Sequence, residues 1–111
     1  MEINISTAGE VTVVEITGEI EASAAAQIQE KVLALIKPSL KLLMDMTEVK
    51  FMSSAGLRLL LLLYRQVTGQ GGQMVLVGLS EEIQDTMSAT GFLSFFTIQN
   101  TVDAGLGMLN Q

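Results

Sequence analysis

Two short apolar runs constrain this chain more than any other feature. Leu40-Lys41-Leu42-Leu43-Met44-Asp45-Met46 is nearly continuous in apolar residues, and Met74-Val75-Leu76-Val77 is wholly so. Apolar runs of this length without polar alternation fit strands covered on both faces. A helix-like segment follows each of them. Strands that alternate with helices in this way cross over in one hand and build a mostly parallel sheet.

The rest of the chain fits that frame. Ile3 and Ile5 alternate with polar residues and predict a half-buried first strand. Ala8-Gly9-Glu10 reads as a turn. Residues 11–17 are rich in β-branched side chains and form the hairpin partner, interrupted at Gly18. Ser23 fits the N-cap of a helix to about Ile36, with Ala25, Ile28, Val32, Leu35 and Ile36 on one face. Pro38 bars its continuation. A second helix spans about 54–67 and ends at Gly69, Gly71 and Gly72. These glycines lack a following Lys-Ser or Lys-Thr, so they are a helix stop and not a phosphate loop. Ser80 caps a third helix with Glu81 and Glu82 in its first turn, and Gly91 ends it. Residues 95–98 read as a short strand, and a last helix starts near Thr101 or Val102. The predicted class is α/β: one domain over 1–111, with an N-terminal hairpin, a mixed and mostly parallel sheet and about four packed helices.

The junction before the second helix carries the chemistry. Phe51-Met52-Ser53-Ser54-Ala55-Gly56-Leu57 puts two hydroxyls and a glycine where a strand ends and a leucine-rich helix begins. A serine there can cap the helix, and it can also be covalently modified. A phosphate at that point meets the free N–H groups and the positive dipole end of the helix, both of which favour an anion. Ligand sites of open parallel sheets lie beyond the carboxyl ends of the strands. Asp45 and the serine corner follow one such end. Glu19 and Glu21 follow the strand over 11–17 and are expected nearby.

Composition narrows the functions. Six Lys and Arg against twelve Asp and Glu give a net charge of −6. That disfavours nucleic acid and anionic lipid as partners. There is no cysteine and no histidine. Disulfides and thiolate chemistry are therefore absent, and so are the commonest zinc ligands and the commonest general base. No metal or cofactor is expected on the chain. The segment Met1-Glu2-Ile3-Asn4-Ile5 lacks the basic start and apolar core of a signal peptide. The leucine run at 59–63 is far shorter than the roughly 20 residues of a membrane span. The expected location is the cytoplasm, without direct membrane insertion.

The chain resembles the STAS domains, and in particular the stand-alone bacterial anti-sigma factor antagonists. The resemblance is carried by Gly18-Glu19-Ile20-Glu21, Leu43-Met44-Asp45-Met46-Thr47 and Val49-Lys50-Phe51-Met52-Ser53-Ser54-Ala55-Gly56-Leu57-Arg58. Gly71 to Gly78, Thr90-Gly91-Phe92 and Val102-Asp103-Ala104 follow in matching order. The resemblance implies a serine phosphorylated by an anti-sigma factor that is a serine kinase of histidine-kinase-like ATPase fold. It also implies a serine phosphatase that reverses the step, with ATP bound on the kinase. The unphosphorylated antagonist binds the kinase and frees the sigma factor. The family serine falls on Ser54, with Ser53 as the alternative acceptor. Family members often carry aspartate before that serine and serine after it, where this chain has Ser53 and Ala55. Glu21 stands where an aspartate is frequent.

Each site residue also has a plain structural reading. Ser54 can simply cap the helix, at about 1 kcal/mol. Glu19 and Glu21 form either a solvated acidic loop or part of a docking surface. Asp45 either satisfies nearby N–H groups, or shapes the acceptor corner or touches the partner. Gly56 either allows close helix–strand packing or admits a kinase active site. Arg58, one turn on from Ser54, and Met52, beside the corner, are candidate partner contacts together with Ser53 and Ala55. Weak self-association through an apolar patch is a further expectation. Two other functions compete with the switch: a non-switching STAS scaffold of a transporter or signalling assembly, and a small serine enzyme. The enzyme lacks a base for its nucleophile.

Overall fold

Five strands form one sheet in chain order. They are β1 (Glu2–Ala8), β2 (Val11–Ile20), β3 (Lys41–Met52), β4 (Gln73–Val77) and β5 (Thr97–Gln99). β1 runs antiparallel to β2, and all other pairs are parallel. The helices are α1 (Ala22–Leu33), α2 (Ser54–Gly69), α3 (Glu81–Ala89) and α4 (Val102–Leu109). These coordinates are a computed structural model that describes all of residues 1–111.

The apolar runs sit at the centre, as their pattern requires. Leu42, Met44 and Met46 of β3 point into the larger core, with Ile28 of α1, Leu60 and Leu63 of α2 and Met87 of α3. Leu43 points the other way, into a small cluster with Val11, Val75, Val77 and Leu109 of α4. Three helices therefore cover one face and a single helix covers the other. Full burial of each such side chain contributes about 1.5–3 kcal/mol.

Several boundaries differ from expectation. β2 does not stop at Gly18; it bends there at φ +111 and continues to Ile20. β3 does not stop near Met46 but runs on to Met52 beside β2. Between Glu15 and Thr17 of β2, the paired β3 residues advance from Asp45 to Glu48, so β3 absorbs an extra residue as a bulge. A second shift follows between Gly18 and Glu19. The polar residues Thr47, Glu48 and Lys50 of this extension mask it as a loop, because only β2 flanks it and one side stays in solvent. Thr47 is a residue of this extended strand.

α1 begins two residues earlier than its serine suggests. Glu21 is its N-cap, and Ser23 Oγ lies inside the helix and donates to Glu21 Oε1 at 2.8 Å. The helix ends at Leu33 and not near Ile36. Leu35 and Ile36 leave it to pack against the larger core. Of the two isoleucines of β1, Ile3 is half-buried but Ile5 is 42% exposed, since the helices pack over β2 to β4 and leave the edge strand open. Residues 95–98 divide into a 3-10 turn at Leu93–Phe95 and the strand β5. Phe96 turns inward and meets Tyr64 edge-on at 5.6 Å. Ser80 caps α3 as expected, and Thr101, where the last helix was expected to start, is the N-cap of α4; each accepts from a backbone N–H at 3.1 Å.

Candidate functional site

Parallel pairing brings the ends of β2 and β3 out at the same edge. Glu19 lies opposite Phe51 and Ile20 opposite Met52, and the Ser53 N–H donates to the Ile20 carbonyl at 2.9 Å. The strands then turn together into α1 and α2. This register places Glu19 and Glu21, both exposed, beside the serine corner, as expected from topology.

The two serines play different parts. Ser53 is the N-cap of α2, with extended backbone (φ −77, ψ 175), yet its side chain makes no cap bond. Its Oγ is buried and has no hydrogen-bond partner. Ser54 is the first helical residue and is exposed. The helical bonding begins with the Leu57 N–H donating to the Ser53 carbonyl at 3.2 Å. The N–H groups of Ser54, Ala55 and Gly56 have no acceptor, which is the usual condition of a first helical turn. No acidic residue occupies that turn, so the helix itself supplies no carboxylate against the positive end of its 16 residues. Arg58 is exposed four residues along from Ser54, on the same face.

Gly56 faces inward. A Cβ there would overlap Met52 Cγ and come within 3.0 Å of Ile20 Cγ2. The absent side chain lets the first turn of α2 lie directly on the strand ends. That geometry is the packing role, and it leaves no backbone surface at Gly56 for an incoming active site. Ala55 and Met52 are half-buried beside it.

Asp45 stands apart from the corner. It follows Leu43 by two residues and so takes the face of the sheet turned to α4, away from α2. It is 7% exposed. Its Oδ1 accepts from the Thr47 N–H at 3.1 Å and from the Thr47 hydroxyl at 2.6 Å. Thr47 is held against Gly78, whose φ of +73 and lack of a Cβ permit the approach. Asp45 thus fixes the bulge in β3, and its carboxylate is not brought to the serines.

A cleft of about 300 Å3 opens between the start of α2 and α3. Phe51, Met52, Leu57, Ile83 and Met87 form its apolar wall, and both serines border it. Phe51 is 52% exposed, a large aromatic surface beside Ser54. Sequence reasoning overlooked Phe51, Leu57 and all of α3 as parts of the site. An aromatic residue in an otherwise polar strand extension was a usable signal for Phe51. No local signal marks α3, because only the sheet order sets it beside α2. No cluster of three or more His, Cys, Asp or Glu exists to hold a metal. No helix is long and apolar enough to cross a membrane.

Comparison with known proteins gives a consistent result. The family model described as "STAS domain" matches residues 2–105. BtrV of Bordetella bronchiseptica is 31% identical over 86 residues, covering 78% of this chain and 68% of that protein. The anti-sigma-B factor antagonist of Bacillus subtilis is 29% identical over 93 residues, covering 84% and 85%. Among solved structures, an anti-sigma factor antagonist from Mycobacterium paratuberculosis superposes with a TM-score of 0.87 at 23% identity, covering 99% and 94%.

Proposed function

The chain belongs to the STAS domain family, and from that premise we propose that it is an anti-sigma factor antagonist switched by phosphorylation at Ser54. It is a binding protein and not an enzyme. In the unphosphorylated state it docks on an anti-sigma factor that is also a serine kinase, with ATP held by that partner. Transfer of the γ-phosphoryl group to Ser54 ends the complex, and a serine phosphatase restores it. The named relative from Bacillus subtilis supports the antagonist reading.

The observation that carries the proposal is the opposite burial of two adjacent serines. Ser54 is exposed at the start of α2, whereas the Ser53 oxygen is buried. A kinase reaches the first and not the second without unwinding the corner. The fold tolerates the product, since phosphate adds about −1.5 to −2 charges next to free N–H groups and beside Arg58. A closely packed partner does not tolerate it. Docking is assigned to Glu19, Glu21, Met52, Ala55 and Arg58, with Phe51 as the aromatic anchor.

The test is phosphorylation by the cognate anti-sigma factor, followed by peptide mass spectrometry. Wild type and Ser53→Ala accept one phosphate at residue 54, and Ser54→Ala accepts none while still binding the kinase. Labelling of Ser54→Ala at the wild-type rate rejects the site.

A further inference from the structure

β1 leaves one edge of the sheet open along its whole length. It pairs with β2 alone, in an unbroken register from Glu2 opposite Thr17 to Ala8 opposite Val11. No backbone hydrogen bond outside the helices and strands involves residues 2–8. In an antiparallel pair every second residue turns its N–H and C=O away from the partner strand. β1 therefore offers a row of unpaired backbone groups. Sheet edges are commonly blunted by lysine, proline, a bulge or sheer shortness. β5, at the opposite edge, has only three residues. β1 has seven, with no lysine, no proline and no bulge.

We propose that this edge is a homodimer interface, in which a second copy of the chain pairs its own β1 antiparallel about Ile5. The strand is complementary to itself in that register. Ile5 faces Ile5 of the second copy, Ile3 faces Thr7, Asn4 faces Ser6 and Glu2 faces Ala8. Only a dyad at Ile5 pairs all seven residues. The one charge of β1 thus opposes a small apolar side chain, and the two Glu2 carboxylates stand about 20 Å apart. That is beyond the roughly 8–10 Å over which surface charges stay coupled in salt. Ile3 and Ile5 lie opposite Ile16 and Val14, so they share the face of the larger core. Ile5 is 42% exposed there, and its counterpart in the second copy covers it. The helices do not obstruct the pairing. α1 packs on β2, and the strand sequence β2-β1-β1-β2 sets the two copies of β2 about 14 Å apart. Packed helices need only about 8–10 Å between axes, so the two copies of α1 leave room for the isoleucines between them. The serine corner follows Ile20 and Met52, beyond the end of the β1 pairing at Thr17, and stays free in both copies. The dimer therefore stands independently of phosphorylation at Ser54.

The test is sedimentation of the full chain over a concentration series. A contact built on one strand pair is small and weak, so the series runs from about 20 µM to about 1 mM. The expected result is a monomer that converts to a dimer as concentration rises. Ile5→Lys and Ile5→Glu each put like charges directly opposite at the dyad and weaken self-association at least about tenfold. An equimolar mixture of the two variants associates again, because residue 5 meets residue 5 only in this register. A cysteine probe gives a second readout that does not depend on charge, since the chain has no cysteine of its own. Facing residues of antiparallel strands lie within disulfide reach, so aerobic Ile5→Cys forms a covalent dimer. Phe95→Cys, equally exposed but remote from β1, does so many times more slowly. A wild type that stays monomeric at about 1 mM overturns the inference. So does undiminished association of Ile5→Lys, or a mixture that fails to associate. Equal cross-linking of the two cysteine variants overturns the register. If the chain is monomeric throughout and β1 amides shift only on adding the anti-sigma factor, the edge belongs to that partner and the inference fails.

Discussion

Replacing Ser53 by alanine should stabilise this protein, against the usual behaviour of a helix N-cap. An N-cap serine that bonds a first-turn N–H is worth about 1 kcal/mol, and its loss is destabilising. Ser53 occupies the cap position of α2 but makes no such bond. Its oxygen is buried without a partner, and a hydroxyl in that state costs about 1–3 kcal/mol. Deleting it removes the cost and forfeits no hydrogen bond. Part of the gain is offset by alanine's poorer fit to a cap position, leaving a net stabilisation of about 1 kcal/mol. For a chain of this length that is a rise in Tm of about 4 °C. The same molecule supplies controls. Ser80 and Thr101 are caps that do accept, from the Ile83 and Ala104 N–H groups at 3.1 Å. Ser80→Ala and Thr101→Ala should each lower stability by about 1 kcal/mol. Urea denaturation of the three variants against wild type measures all of these with one reference state. A loss of about 1 kcal/mol in Ser53→Ala, equal to the other two, would refute the reasoning and show that Ser53 caps α2 like the rest.

Gly56→Ala should destabilise by about 1–3 kcal/mol, because the added methyl collides with Met52 and crowds Ile20; denaturant midpoints measure it. Thr47→Val should cost about 1–3 kcal/mol by removing the hydroxyl that donates to the buried Asp45 carboxylate, again read by denaturation. Phe51→Ala should leave stability nearly unchanged, since the ring is 52% exposed. It should weaken binding to the anti-sigma factor about tenfold in titration calorimetry, as expected for a truncated aromatic anchor.

Elements set by their own residues were legible in the sequence. The apolar runs at 40–46 and 74–77 declared central strands because they are buried on both faces. Ser80 declared a cap because its hydroxyl acts within three residues. The serine corner, and the nearness of Glu19 and Glu21 to it, followed from parallel topology. What escaped depended on neighbours distant in sequence. The extension of β3 through Thr47, Glu48 and Lys50 exists because β2 continues alongside it, and polar residues there look like a loop. Asp45 was drawn toward the serines by proximity in sequence, while strand alternation turns it to the face of α4. The inward position of Gly56 depends on Met52 and Ile20 lying beneath it. α3 reaches the site only through the sheet order, which no local pattern encodes.

The central claim is that one phosphoryl group at Ser54 abolishes docking and spares the fold. The direct measurement is the affinity of the purified chain for its anti-sigma factor before and after phosphorylation, with denaturation of both forms alongside. The account predicts that binding falls by at least about a hundredfold, since juxtaposed like charge costs several kcal/mol at a docked surface. It predicts that stability changes by no more than about 1 kcal/mol. Equal affinity of the two forms, or unfolding of the phosphorylated one, would contradict it.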